Sequence, residues 1–94
     1  MPTVEIIPDG RGGKIAYRSK RTSFTLEFEY TYQPETCYMI IFPPSPKQWT
    51  AITGLAESKQ NSTISFIAKQ IIQQVAPGYT YVEYRDFIEI VKEG

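Results

Sequence analysis

Histidine is absent from this 94-residue sequence, and cysteine occurs once, as Cys37. Without histidine the chain cannot build a Ser–His–Asp triad or a Cys–His pair, and it lacks the commonest zinc ligand. A single cysteine excludes an internal disulfide and a zinc site made of several cysteines. We therefore expect no catalytic constellation, no metal site and no cofactor, and we expect that the protein is not an enzyme.

Net charge and long hydrophobic runs are also lacking. Ten basic residues balance ten acidic ones, so no overall field attracts nucleic acid or an anionic membrane. The longest apolar run, residues 38–42, is far shorter than the roughly 20 residues of a membrane-spanning helix. The first residues lack the basic and apolar regions of a signal peptide. These features predict a soluble, cytoplasmic protein that does not bind membranes.

The composition is that of a folded domain rich in strands. Hydrophobic residues make up 41% of the chain and aromatic residues 14%, which argues against disorder and favours strand structure. The length lies within the range of one domain, and no repeat or linker interrupts the sequence. We therefore predict a single domain over residues 1–94.

The clearest pattern is a strict alternation of apolar and polar residues over residues 22–33, which predicts a strand with one buried face. Its apolar members are Phe24, Leu26, Phe28, Tyr30 and Tyr32. Residues 14–18 also alternate, so a hairpin turning at residues 19–22 would gather the apolar side chains on one face. The predicted register pairs Tyr17 with Phe24, Ile15 with Leu26 and Lys14 with Glu27.

Four further segments have strand character. Residues 4–8 form a short apolar run, and a glycine-rich loop follows at residues 8–13. Residues 36–42 are almost continuously apolar, as in a central strand, after a break at residues 33–35. Residues 79–92 favour two short strands, 80–84 and 87–91, although a helix would also align their apolar residues.

One long amphipathic helix is predicted at about residues 57–75. Its apolar stripe consists of Ile64, Ile67, Ala68, Ile71, Ile72 and Val75, which share one helix face. Residues 46–53 remain open between a short helix, with Ser45 and Pro46 at its start and Gly54 after its end, and a strand. The fold class is therefore α+β: a curved, mostly antiparallel sheet of four to six strands with the long helix on one face, in the order β-β-β-β-(short element)-α-β.

Aromatic residues suggest a partner surface, because tyrosine and tryptophan combine apolar area with a polar group. The candidate interface residues are Trp49, Tyr79, Tyr81 and Tyr84, although Trp49 could instead be a core residue. We predict a small accessory or regulatory domain that binds another protein or forms a homodimer. Residues 79–84 could supply an edge for strand pairing between two copies.

The alternative is a nucleic-acid or anion-binding domain. Residues 11–21 carry five basic residues and no acidic one, namely Arg11, Lys14, Arg18, Lys20 and Arg21. Basic side chains on a hairpin can contact phosphates. Base stacking on Tyr17 and Phe24 conflicts with the alternation, which assigns both rings to the core.

Two smaller features could carry chemistry. Glu27 and Glu29 lie two positions apart on one strand face, where two carboxylates can act as an acid–base pair or hold a cation. A solvated strand face with cross-strand partners such as Lys14 is the favoured explanation, since no metal-binding loop accompanies them. Cys37 lies in an apolar strand without a cationic neighbour and is expected to be a buried structural thiol.

Overall fold

The computed structural model describes residues 2–31 and 36–92. The fold is α+β, with a six-stranded antiparallel sheet in the order β1-β2-β3-β4-β6-β5. The strands are β1 (Thr3–Asp9), β2 (Gly12–Arg18), β3 (Ser23–Tyr30), β4 (Cys37–Phe42), β5 (Tyr79–Glu83) and β6 (Ile88–Lys92). The helices are α1 (Pro46–Thr53) and α2 (Gln60–Val75). The predicted fold class is confirmed, with a second helix and a final pair of strands completing the order.

The hairpin of β2 and β3 has the predicted register. Tyr17 pairs with Phe24, Ile15 with Leu26 and Lys14 with Glu27. The apolar members of these pairs are buried, because the alternation turns them all toward the helices. Tyr32 and the break expected at residues 33–35 lie outside the described residues.

The predicted glycine-rich loop is shorter in the structure, where only Gly10 and Arg11 separate β1 from β2. Gly13 lies within β2 at a φ of +148°. A Cβ atom there would lie 2.2 Å from the Ile7 carbonyl oxygen. The strands can therefore approach this closely only because the residue is glycine.

The C-terminal segment forms two strands, as predicted, and its helical alternative is wrong. β5 and β6 pair along their full length, from Tyr79 opposite Lys92 to Glu83 opposite Ile88. The backbone N–H of Tyr84 donates to the Phe87 carbonyl across the connecting turn, at 2.8 Å. This turn ends the hairpin at one corner of the sheet.

Residues 46–53, which the sequence left open, form helix α1. Pro46 occupies its first turn, where its missing N–H costs nothing. Gly54 ends the helix in the left-handed conformation, and its N–H donates to the Thr50 carbonyl. These two boundary residues outweigh the strand preference of the residues between them.

Helix α2 follows a 3₁₀ turn at Glu57–Lys59, so the helical segment matches the predicted range of 57–75. Its buried residues are Ile64, Ile67, Ala68 and Ile71. They join one hydrophobic core with the inward residues of the sheet. Val75, the last member of the predicted stripe, is exposed. No helix in the described ranges is long and apolar enough to cross a membrane.

Candidate functional site

Trp49, for which the sequence left a core position and a partner interface open, is 0% exposed. Its indole lies edge-on to the Phe24 ring, with 5.6 Å between the ring centroids. The indole Nε1 donates to the Ala56 carbonyl at 3.0 Å. Trp49 belongs to α1, whose conformation the sequence left open, and it lies on the buried side of that helix. Trp49 is therefore a core residue, and its assignment to an exposed interface is corrected.

Tyr79 and Tyr81 are half-buried on the side of β5 that joins the core. The Tyr81 hydroxyl lies 2.7 Å from the Ser65 hydroxyl on α2. The Tyr79 ring lies edge-on to the Tyr38 ring, with 6.0 Å between their centroids. Burial, followed by the Tyr30 and Tyr79 hydroxyls, raises the pKa of Tyr38. These tyrosines extend the core to the end of the sheet while remaining partly accessible.

Tyr84 is the most exposed of the candidate interface residues, at 49%. Its ring stacks on Phe87 with a centroid separation of 4.7 Å. The Glu89 carboxylate accepts a hydrogen bond from the Tyr84 hydroxyl and raises its pKa, with charge and burial adding to the effect. The two stacked rings form an aromatic surface beside the outer strand β5.

The sheet ends at β5 on one side and at β1 on the other, in the part of the chain that the structure describes. Strand β1 contains Pro8 and two carboxylates, Glu5 and Asp9. In addition, the Gln74 side chain of α2 donates to the Val4 carbonyl at 2.9 Å. Proline, charge and a side chain that bonds the backbone are all features that protect an edge strand.

Strand β5 has few of these features. Its five residues include no proline and one charged residue, Glu83. Val82 is 39% exposed and pairs with Glu89 of β6, so it lies on the sheet face away from the helices. The edge between Thr80 and Glu83 is thus the less protected end of the sheet.

Cys37 is half-buried, not fully buried as the sequence suggested. Its Sγ lies 3.5 Å from Glu89 Oε2 and 3.8 Å from the Met39 carbonyl oxygen. Burial raises the pKa of the Cys37 thiol, and the hydrogen bond and negative charge of Glu89 raise it further. The thiol is therefore held in its protonated, weakly nucleophilic form at neutral pH.

The basic residues predicted to bind an anion do not form one patch. Arg11 and Lys14 line a concavity of about 780 Å³ that includes side chains from the helix-free face of the sheet. Lys20 and Arg21 line a different pocket beyond the other end of β2. Lys14 lies within β2, about 13 Å before the strand ends at Arg18, and the second group follows that end. Arg18 is exposed near the second group, opposite Ser23 in the hairpin.

Glu27 and Glu29 line the same concavity as Lys14 and Arg11. Both carboxylates are exposed, and their strand partners across β2 are Lys14 and Gly12. Two solvated carboxylates beside a lysine match the strand-face interpretation more closely than a tuned acid–base pair, which requires unlike environments. In the described ranges no three Cys, Asp or Glu side chains gather to hold a metal ion.

The second pocket, of about 510 Å³, lies where the β2–β3 turn meets the segment between the two helices. Lys20, Arg21 and Lys59 line it together with Ser19 and Thr63. Lys59 was not among the sequence candidates, because nothing in its local pattern shows which strand turn it will face. We call this site the basic pocket.

Sequence reasoning also missed two residues that distinguish the sheet edges. Gln74 belongs to the polar side of the α2 pattern, which gives no indication that it reaches Val4. Val82 follows the alternation of its strand, which could have shown that it faces away from Tyr81. In comparisons with known proteins, no protein-family model, no curated protein and no solved structure matched the chain.

Proposed function

We propose that the protein is a non-enzymatic interaction domain that forms a homodimer through the β5 edge. The observation that carries this proposal is the contrast between the edges of the sheet. Strand β1 is protected by Pro8, by acidic residues and by the Gln74 side chain. Strand β5 lacks proline and has one charged residue. An unprotected edge strand favours pairing with another strand.

A second copy is the partner that this edge fits best. Two β5 strands related by a two-fold axis run antiparallel, so the sheet would continue across the dimer in the geometry of its existing pairs. With the axis at the middle residue of β5, Tyr81 meets its own copy and Thr80 faces Val82 of the partner strand. Because those residues are Thr80, Tyr81 and Val82, no like charges face each other at the axis.

Side chains on both faces of the edge add contact area. Val82 in β5 and Tyr84 directly after the strand are both exposed. The half-buried Tyr81 lies on the other face of the sheet from Val82. Stable dimers bury about 1,200–2,000 Å² in total, which backbone pairing of five residues does not provide alone. Aromatic and aliphatic groups on either side of the paired strands are suited to supply the rest.

The direct test is the mass in solution of the wild-type protein and two lysine variants. Val82→Lys places a charge beside the proposed axis, where it lies diagonally across from its own copy on the same sheet face, about 7–8 Å away. Ile7→Lys is the matched control, because Ile7 lies on the opposite edge strand with a similar exposure of 44%. We expect sedimentation velocity to show a wild-type dimer, a monomeric Val82→Lys variant and a dimeric Ile7→Lys variant.

The expected change in the dimer dissociation constant for Val82→Lys is about tenfold or more, since one exposed contact is lost and like charges are introduced. A wild-type monomer up to about 200 µM would contradict the proposal. A dimer that Ile7→Lys disrupts and Val82→Lys leaves intact would place the interface on β1 and contradict it as well.

A further inference from the structure

The basic pocket is formed by segments that are far apart in the sequence. Its walls come from the β2–β3 turn at Ser19–Arg21, from Gly54–Ala56 after α1, and from Lys59 and Thr63. Pro2 and Tyr17 complete the lining. None of these residues belongs to β5, so the pocket is separate from the proposed dimer edge. Its volume of about 510 Å³ lies within the roughly 300–1,000 Å³ of small-molecule sites.

Hydrogen bonds fix the turn that carries two of the basic residues. The Ser19 hydroxyl accepts from the backbone N–H groups of Arg21 and Thr22, each at 3.2 Å. The Thr22 hydroxyl donates to the Thr53 carbonyl at the end of α1. The turn is therefore tied both to itself and to the helix beside the pocket, so the backbone is already ordered before any ligand binds.

The segment on the other side of the basic pocket, residues 54–59, is held by hydrogen bonds to α1 and within itself. The Trp49 indole holds the Ala56 carbonyl, and the Lys59 N–H donates to the same carbonyl at 2.9 Å. The N–H of Leu55 donates to the Thr53 hydroxyl at 3.1 Å. Lys59 thus projects from a segment whose position relative to the β2–β3 turn is set by buried contacts.

The charged residues that line the basic pocket are all positive. Lys20, Arg21 and Lys59 line it, and no carboxylate appears among its described lining residues. The chain as a whole has no net charge, so this concentration of positive charge is local. Three cations that surround one space repel one another unless an anion lies between them. The Thr63 hydroxyl adds a hydrogen-bond donor that suits a phosphate oxygen.

The remaining lining is apolar. Leu55 and Ala56 lie on one side, and Pro2 and the largely buried Tyr17 lie on the other. An inorganic anion would leave this surface unused. A ligand that combines an anionic group with an apolar or aromatic group would contact both parts of the lining.

We propose that the basic pocket binds a small phosphate ester that carries an apolar or aromatic group, a mononucleotide being the simplest example. Lys20, Arg21 and Lys59 contact the phosphate, with the arginine able to form two parallel hydrogen bonds to it. The organic group lies against Leu55 and the edge of Tyr17. This assignment uses two of the sequence candidates, Lys20 and Arg21, adds Lys59 and leaves out Arg11, Lys14 and Arg18.

The test uses the full chain and three probes, titrated by calorimetry at low salt: AMP, adenosine and inorganic phosphate. We expect AMP to bind most tightly, because it alone supplies both the anion and the ring. We expect Lys59→Ala and Arg21→Ala each to weaken AMP binding by about tenfold or more. Lys69→Ala is the matched control, since Lys69 is exposed on α2 outside the pocket, and it should leave the affinity within about twofold.

Three results would overturn the assignment. They are AMP binding weaker than about 1 mM, equal loss of affinity in the Lys59→Ala and Lys69→Ala variants, and binding of phosphate or adenosine as tight as that of AMP. A single-stranded oligonucleotide that binds more tightly than AMP and loses that affinity in the Lys59→Ala variant would assign the basic pocket to nucleic acid instead. Since none of the lining residues is in β5, the Val82→Lys variant should bind AMP like the wild type, so this test is separate from that of the dimer.

Discussion

The two edge strands of the sheet, β1 and β5, differ in how far their unpaired backbone groups are protected. Both β1 and β5 have strand neighbours on one side, in the part of the chain that the structure describes. At β1, local residues and a distant one combine, since Pro8 removes a donor and Gln74 satisfies the Val4 carbonyl. At β5 neither device is present among the described contacts of Thr80–Val82. This difference between the two edge strands is the basis of the proposed β5 interface.

The comparison also shows how a helix can protect a strand that it does not pair with. Gln74 lies in the last turn of α2, and its side chain donates a hydrogen bond to the Val4 carbonyl of β1. By contrast, the hydrogen bond described between α2 and β5 joins two side chains, the hydroxyls of Ser65 and Tyr81. Helix α2 therefore bonds the backbone of the first edge strand and a side chain of the other.

The largest expected effect comes from the hydrophobic core, which contains Trp49. Trp49→Phe removes the Nε1 hydrogen bond to Ala56 and part of a fully buried ring. The free energy of unfolding should fall by about 2–4 kcal/mol. Urea denaturation measures it, with Ile52→Ala on the exposed side of the same helix as control, where a change below about 0.5 kcal/mol is expected. Equal effects of the two substitutions would contradict the core position of Trp49.

A smaller effect is expected from Gln74→Ala, which should change β1 and leave β5 unaffected. Gln74→Ala leaves the Val4 carbonyl without its donor, which should cost about 1 kcal/mol of unfolding free energy. Gln73→Ala is the control, because Gln73 is exposed on the same helix. Hydrogen exchange should become faster in β1 and stay unchanged in β5. Faster exchange in β5 instead would show that Gln74 does not protect the first edge.

The smallest effect concerns Glu89, which lies next to β5 and opposite Val82. Burial, followed by Glu89, raises the pKa of the Cys37 thiol, so the thiol is protonated at neutral pH. Glu89→Gln removes the negative charge, lowers that pKa and increases the thiolate fraction. The rate of modification by a disulfide reagent at neutral pH should therefore rise, while Glu83→Gln leaves it unchanged. An unchanged rate in Glu89→Gln would mean that burial alone controls the thiol.

Much of the fold follows from local sequence patterns. The alternation around Phe24 and Tyr17 determined both the strands and their register, because a slip by one residue would expose the apolar side chains. Helix α2 followed from its apolar spacing. The segment of Trp49 was ambiguous because its residues favour strands, while the helix is decided at its ends by Pro46 and Gly54.

The sites were less predictable, because they depend on which segments meet. The basic residues between Arg11 and Arg21 formed one group in the sequence, but the length of β2 separates them in the fold. Lys59 joins Lys20 and Arg21 only through the packing of the inter-helix segment. The importance of Val82 came from the strand order, which places β5 at the end of the sheet and which local patterns do not specify.

The most direct test of the β5 interface is hydrogen exchange measured at several protein concentrations. In the dimer, outward-facing amides of residues 80–83 donate to the partner strand, so their exchange should slow as the concentration rises from about 1 to about 200 µM. The amides of β1 should exchange at the same rate throughout. Exchange in residues 80–83 that does not depend on concentration, or protection that appears in β1 instead, would contradict the proposal.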